Sequence, residues 1–590
     1  MKQVVYLATF LCGIIMSGCT LPKMIKMAKN QNLVVSPSPL EVHKDTVAFE
    51  LSANLPVKML KPATTYTLNT FYKFGDKERA LESVSFKSTD FPQSATREPR
   101  QTRKFTFPYE PSLKSGLLQV QGVASRASKS KSTPRLDIAT GLITTSQLVQ
   151  PSHYVAFADH GYNYQEEIVP VVIPNFVFDQ GSAVLRKSDI SGSTGTQLDA
   201  FIASKNVTRT VTITGTHSPE GRERVNSQLS QDRAAAIEKF YREQMKKYDY
   251  KGQADNIRFI LKPMVDDWTD FKNALTGYND MTTQEKQEYI SIINDGGTFP
   301  EVEKKLSALP SYKKVYDDIY PSLRTARTEI FIVKKKKSEM EIAVLAKQIL
   351  NGQAGNDALS LEEFLYAASL TPSMEEKANY YQAATKLGSS WVAHNNLAAS
   401  WLSMGLQNPE RLQEYAEKAS VQLEIASRLR SANEVMANMT TVALIQGNPW
   451  KTLSLASKAL NGATNEISRG VNGVKAAAEI KAGKYSQAIA SASGASASAV
   501  NLFNRGLAQL LSKDYANAYA SFLETSRANK NFALAYYGAA IAAARQGFEK
   551  ELLSQLSTAV KTDSNLKDMA LTDLEFSKWA GTEAFRNALK

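Results

Sequence analysis

Arg233 stands on a stretch with helical periodicity in which Val225, Leu229 and Ile237 fall at four-residue spacing from it, so that three apolar side chains and one guanidinium share a face. Burying an unpaired guanidinium is costly, so this arginine needs an anion. Its planar fork matches a carboxylate. Two sources stay open at this point: a ligand carboxylate from outside, or an internal Asp or Glu in a salt bridge. The residues just upstream, Gly215-Thr-His-Ser-Pro-Glu-Gly, form a short loop between a strand and this helix. Gly221 suits a turn with unusual dihedrals, and Asn226 is placed to bond or cap the loop backbone.

A second residue with chemical content is Cys19. Lys2, a mostly apolar run from Val4 to Met16, and the small residues Ser17 and Gly18 precede it. These are the parts of an export signal, and the run is too short to remain as a membrane span. An ordinary secretory signal with an incidental cysteine is one reading. The segment also resembles a bacterial lipobox, which implies cleavage before Cys19 and a lipid on its sulfur.

Other chemistry lacks its residues. The chain of 590 residues has two cysteines; Cys12 lies in the signal, and a lipid-linked Cys19 would leave no free thiol and no disulfide. The five histidines, His43, His153, His160, His217 and His394, form no zinc-binding pair. No nucleophile elbow, phosphate loop or dinucleotide fingerprint occurs. The expectation is a non-enzymatic protein with no catalytic residues, no metal and no cofactor. Asp266, Asp267 and Asp270 read as helix caps. The net charge of +12, behind an export signal, points to wall carboxylates, lipid phosphates or acidic proteins rather than nucleic acid. The basic residues Lys334–Lys337 and those of 125–135 read as solvated loops.

The elements that must hold these residues fall into blocks. Residues 1–18 are the signal and 19–32 a polar tether. Residues 33–169 alternate apolar and polar over short runs such as Val47-Ala-Phe-Glu-Leu-Ser and Tyr66-Thr-Leu-Asn-Thr-Phe-Tyr, the pattern of an antiparallel β-sandwich-like domain. Residues 170–337 mix strands and helices, with a helical insertion at about 250–322. Residues 338–590 are rich in Ala, Leu and Lys and lose all strand signals. There Tyr485 and Tyr515 open similar segments, and Gly473, Gly506 and Gly538 recur inside alanine-rich helices. A period near 34 residues resembles the tetratricopeptide pattern, which implies a helical solenoid whose concave face takes peptides or partner domains. A plain helical bundle is the alternative.

Residues 215–234 resemble the peptidoglycan-associating domain of the OmpA family, through Gly215, Gly221, Asn226, Leu229, Ser230, Arg233 and Ala234. Asn175-Phe-Val-Phe-Asp resembles that family's opening strand, and Arg327-Thr-Glu-Ile-Phe-Ile its closing one. The resemblance implies that Arg233 holds a carboxylate of diaminopimelate in the peptide stem, with Asn226 and Gly221 shaping the loop. One departure is plain: the family's Thr-Asp is His217-Ser218 here, and that aspartate partners the ligand's ammonium. Glu220 is the substitute in the same loop, Asp179 a weaker one. Taken together these resemblances, of the kind found in Bacteroidetes envelope lipoproteins, imply an outer-membrane lipoprotein on the periplasmic face. Its acylated Cys19 sits in outer-membrane lipid, its OmpA-like domain on peptidoglycan, and its helical repeats hold envelope protein partners. The alternative is an adaptor of an outer-membrane secretion or assembly machine whose OmpA-like domain has lost wall binding. A wall-active enzyme is a third reading, against which the missing catalytic motifs argue.

Overall fold

The computed structural model describes residues 20–248, 253–264 and 268–590; Cys19, the signal, Asp266 and Asp267 lie outside the described residues. Two compact units emerge, and one is discontinuous in sequence: 1–162 with 339–590, and 163–338 between them.

The first unit begins with α1, Thr20–Met27. The expected polar tether is therefore in part a packed helix. Leu21, Met24 and Ala28 follow helical spacing and are buried, so the segment joins the core of the strands that follow. Those strands are β1 Asn32–Ser36, β2 Leu40–His43, β3 Thr46–Asn54, β4 Thr65–Phe74, β5 Lys77–Ala80, β6 Val84–Lys87, β7 Arg100–Pro108, β8 Leu117–Arg126, β9 Lys129–Ser132, β10 Leu136–Thr140 and β11 Leu142–Ile143. β1, β2, β3, β7 and β11 make one sheet, and the other six make a second. Alternate residues of β3, β4 and β8 are buried, as strands with one wet face require. Their inward side chains, Phe49, Leu51, Tyr66, Leu68, Tyr72 and Leu118 among them, fill one core.

From Glu339 onward the described chain is all-helical. Its regular part is a series of helix pairs: α7 Trp391–Gln407 with α8 Leu412–Leu429, α9 Asn433–Ile445 with α10 Pro449–Ala459, α11 Asn465–Lys481 with α12 Tyr485–Ser493, α13 Ala499–Leu511 with α14 Tyr515–Ala528, and α15 Ala533–Gln546 with α16 Glu549–Thr562. Tyr485 and Tyr515 each open the second helix of a pair. A Cβ on Gly506 or Gly538 would meet the Phe522 ring at 2.9 or 2.7 Å, so both glycines admit close helix contact. Successive pairs share continuous apolar cores, as a solenoid of repeats does.

The strands of the sandwich end at Ile143 rather than near 169. Residues 149–162 carry no regular secondary structure and lie along the helical repeats instead, which is why they cluster with them.

The second unit holds a four-stranded sheet of β12 Ile168–Val177, β13 Thr208–Gly215, β14 Arg258–Pro263 and β15 Thr325–Val333, in the order β12-β15-β13-β14. β13 and β14 run parallel, and β15 is antiparallel to both of its neighbours. α2, Ser193–Ala203, and α3, Glu223–Lys247, bury Leu198, Ile202, Ala234, Ile237 and Tyr241 with Val211, Ile213 and Ile330 of the sheet. The stretch expected as a purely helical insertion thus contributes β14 to the sheet, because Phe259 and its neighbours extend the core beside β13. The helices α4 Thr269–Gly277, α5 Thr283–Asn294 and α6 Phe299–Leu306 follow and pack on a core of their own around Phe271, Tyr289, Val302 and Tyr320. Within it Glu303 is buried and accepts bonds from the Tyr312 and Tyr320 hydroxyls. Burial raises the pKa of the Glu303 carboxyl and of both phenols.

Candidate functional site

In the second unit the chain turns from β13 into α3 through residues 216–222. Gly215 allows that turn to pack closely, since a Cβ there would lie 1.9 Å from the Ser230 carbonyl oxygen. Gly221 has a φ of +106°, open to glycine without strain. Asn226 lies at its side and donates from Nδ2 to the carbonyls of Glu220 (3.2 Å) and Ser218 (3.4 Å), fixing the loop on the helix.

Arg233 is 1% exposed, the largest fully buried side chain among the described residues. Its guanidinium donates to three backbone carbonyls: Nη1 to Thr216 at 2.7 Å, Nε to Ser182 at 3.0 Å and Nη2 to Asp179 at 3.3 Å. It also lies over the Phe178 ring, 5.4 Å from the centroid. Among the described residues no carboxylate pairs with it. Burial, with the neighbouring Arg324 cation, pushes its pKa down to about 10, against a smaller opposing pull from Glu220. Arg233 lines a cavity of about 390 Å³ together with Ser218, Glu220, Gly221, Asn226 and Leu229.

The four-residue stripe expected on α3 is shifted. Val225 is 52% exposed. The buried face is Asn226, Ser230, Arg233, Ala234 and Ile237. Val225 and Leu229 border the cavity, because the first turns of α3 overhang it instead of the sheet.

The carboxylate expected to stand in for the missing aspartate is already engaged. Glu220 Oε1 accepts from Arg324 Nη2 at 2.7 Å and from the Ser218 hydroxyl at 2.6 Å, and Ser218 in turn accepts from Arg324 Nε at 3.0 Å. Glu220 Oε2 is buried and has no hydrogen-bond partner among the described residues. Asp179 plays a different part: its side chain is exposed and pairs with Arg186, and only its carbonyl reaches Arg233. Asp270 pairs with Arg327 at 3.4 Å. Arg324 was not legible as a site residue, for it follows Ser218 by 106 positions. Its one signal is its place at the last residue before the closing strand. With two guanidinium groups against one carboxylate the cluster is net positive, a setting for an anion.

The first unit holds a second built arrangement that periodicity in the repeats had not singled out. The extended segment 150–158 is held at alternate residues by side chains from the first helices of successive pairs. Asn504 of α13 accepts from the Gln150 N–H (3.0 Å) and donates to the Gln150 carbonyl (2.8 Å). The Ser152 hydroxyl donates to Asn501 Oδ1 at 2.8 Å. The Thr441 hydroxyl of α9 accepts from the Tyr154 N–H and donates to its carbonyl. Asn438 does both for Ala156, at 2.8 and 2.7 Å, and Asn396 of α7 for Ala158, at 2.7 and 2.9 Å. Asn395 Nδ2 adds a bond to the Ala156 carbonyl at 3.1 Å. Gly473 serves this strap: a Cβ there would lie 2.7 Å from the Ser152 hydroxyl. The strap begins where the sandwich meets the last helices. There Thr145 donates to buried Glu575, which Arg545 also holds, and Arg545 reaches Glu41.

Among the described residues no group of three or more His, Cys, Asp or Glu side chains could hold a metal ion, and no helix is long and apolar enough to cross a membrane. No family model matches the chain, and none of the curated proteins does. Several solved structures are similar to parts of it. The C-terminal part of a TPR repeat-containing protein from Cytophaga hutchinsonii is 12% identical over 39% of this chain and 91% of its own, with a TM-score of 0.29. YrrB, a TPR protein with an unusual peptide-binding site, is 15% identical over 40% of this chain and 99% of its own, with a TM-score of 0.23. Pseudomonas aeruginosa PilF is 17% identical over 33% and 97%, with a TM-score of 0.23.

Proposed function

We propose that this protein is a non-enzymatic scaffold of the bacterial envelope, lipid-anchored through Cys19 on the periplasmic face of the outer membrane. Its second unit, resembling the OmpA-like domain, binds a carboxylate of the peptidoglycan stem peptide, and its helical repeats hold a protein partner. The observation that carries the wall-binding reading is Arg233: a cation 1% exposed, lining a cavity of about 390 Å³, with no carboxylate of the described chain on it. A carboxylate entering there meets a guanidinium whose loop is fixed by Asn226 and Gly221, so little ordering is left to do on binding. Ser218 and Glu220 complete the wall of the site.

The engagement of Glu220 by Arg324 favours a second reading, an adaptor whose wall binding has gone, since the residue that would take the ligand's ammonium already has a cation. Co-sedimentation of the lipid-free protein with purified peptidoglycan, beside Arg233→Ala, decides between them. Wall binding requires that the wild type pellets and the variant, checked to be folded, stays in solution. If the wild type also stays in solution, the adaptor reading holds.

A further inference from the structure

We propose that the groove along the first helices of the repeats is a receptor for an extended segment of the form aromatic-x-small-x-small, and that residues 150–158 are its built-in competitor. The proposal rests on the reading that the repeats hold a protein partner, and adds what they hold and what keeps them from holding it.

The strap that occupies the groove defines the ligand. Four residues, Gln150, Tyr154, Ala156 and Ala158, have both N–H and carbonyl paired by one Asn or Thr side chain. This grip reads main chain, so it accepts any segment that is extended and presents the same alternate residues. Side chains are selected at three places. Ala156 and Ala158 are buried beside the asparagines that grip them, which favours small side chains there. The Tyr154 ring fills the gap left by Gly470, whose Cβ would lie 2.2 Å from it. The asparagines are costly to bury unpaired. Asn396 and Asn438 are 1% and 0% exposed, so the groove is built around an occupant.

The strap is held by hydrogen bonds at alternate residues and by the packing of Tyr154, Val155 and Ala156 on the repeats, while Pro151 and Phe157 are exposed. Such a contact exchanges with a partner segment of matching pattern. Tethering gives the strap an advantage on the order of 10²–10⁴ over a free peptide of the same sequence.

The test uses the full chain and a fluorescent synthetic peptide of residues 149–162. In one variant 150–158 is replaced by a Gly-Ser run of equal length. The expected result is that the peptide binds this variant at least ~100-fold tighter than the wild type, and that adding Asn438→Ala to the variant removes the gain. Equal binding by wild type and variant overturns the cis competition. A folded variant that fails to bind overturns the receptor. If the variant shows no cooperative melting, hydrogen exchange of the wild type decides. Strap amides that exchange faster than those of α7 and α9 support a displaceable strap, whereas exchange of both only together overturns it. Loss of wall binding by Arg233→Ala leaves all of these outcomes unchanged, so the two readings fail separately.

Discussion

At Arg233 the charge and the geometry of the fork can be separated. Arg233→Lys keeps a cation but cannot serve three carbonyls at once, so the wall-bound fraction is expected to fall at least about tenfold. Stability should drop by roughly 2 kcal/mol as buried carbonyls lose their donor, which sedimentation and thermal melting read independently. Glu220→Gln acts in the opposite sense on binding: it removes the one carboxylate of the cluster and leaves two guanidinium groups facing the cavity. Carboxylate binding should then persist to higher salt in a sedimentation series, while the fold loses roughly 3 kcal/mol from a broken, largely buried pair. Binding that weakens instead would mean that Glu220 holds a cationic group of the ligand. The Arg233 loop was legible because Gly215, Gly221, Asn226 and Arg233 are close in sequence. The Glu220–Arg324 pair was not, because it is made across 104 positions.

At the scale of elements the strap and its helices stand or fall together. Asn438→Ala removes the acceptor of the Ala156 N–H, one of the two donors to its carbonyl and one partner of Asn395, an expected loss of about 2–3 kcal/mol in denaturant unfolding. Asn472→Ala, at a half-buried position on α11 whose side chain makes only a long 3.5 Å bond to the Gly494 carbonyl, should stay within about 0.5 kcal/mol. His153 adds a pH dependence. Burial holds its imidazole below the usual range, so the unfolded chain binds the proton more readily than the folded one. Its contribution to stability is full above about pH 6.5 and is lost as the pH falls through the depressed folded value. A His153→Gln chain should therefore lose less melting temperature than the wild type between about pH 7.5 and pH 5, and identical slopes would rule this source out. The pattern was present in the sequence: Asn396, Asn438 and Asn504 occupy the sixth position of α7, α9 and α13, and Gly470 and Gly538 the same position of α11 and α15. It went unread because an asparagine inside a helix gains meaning only when its partner is known, and that partner lies 238–354 residues away.

On the scale of the whole molecule, the two ends of the second unit lie side by side. Ile168 pairs with Val333, and the Lys334 N–H donates to the Glu167 carbonyl at 2.8 Å. Replacing 163–338 by a short Gly-Ser linker should leave the first unit folded, with its melting transition moved by only a few degrees. Broad or non-cooperative melting would show that the two units need each other. The all-helical repeats were legible from alanine content and the period near 34, and the β-rich region from alternation. What composition could not reveal is that the chain closes its first unit last. The strap emerges from the ribosome with the N-terminal strands, and its helices are made after a complete intervening unit. Contacts of this span slow the search for the native state. A chain truncated before α7 therefore carries the whole stretch unpaired, and one truncated between α9 and α13 has partners for residues 154–158 but none for Gln150 and Ser152.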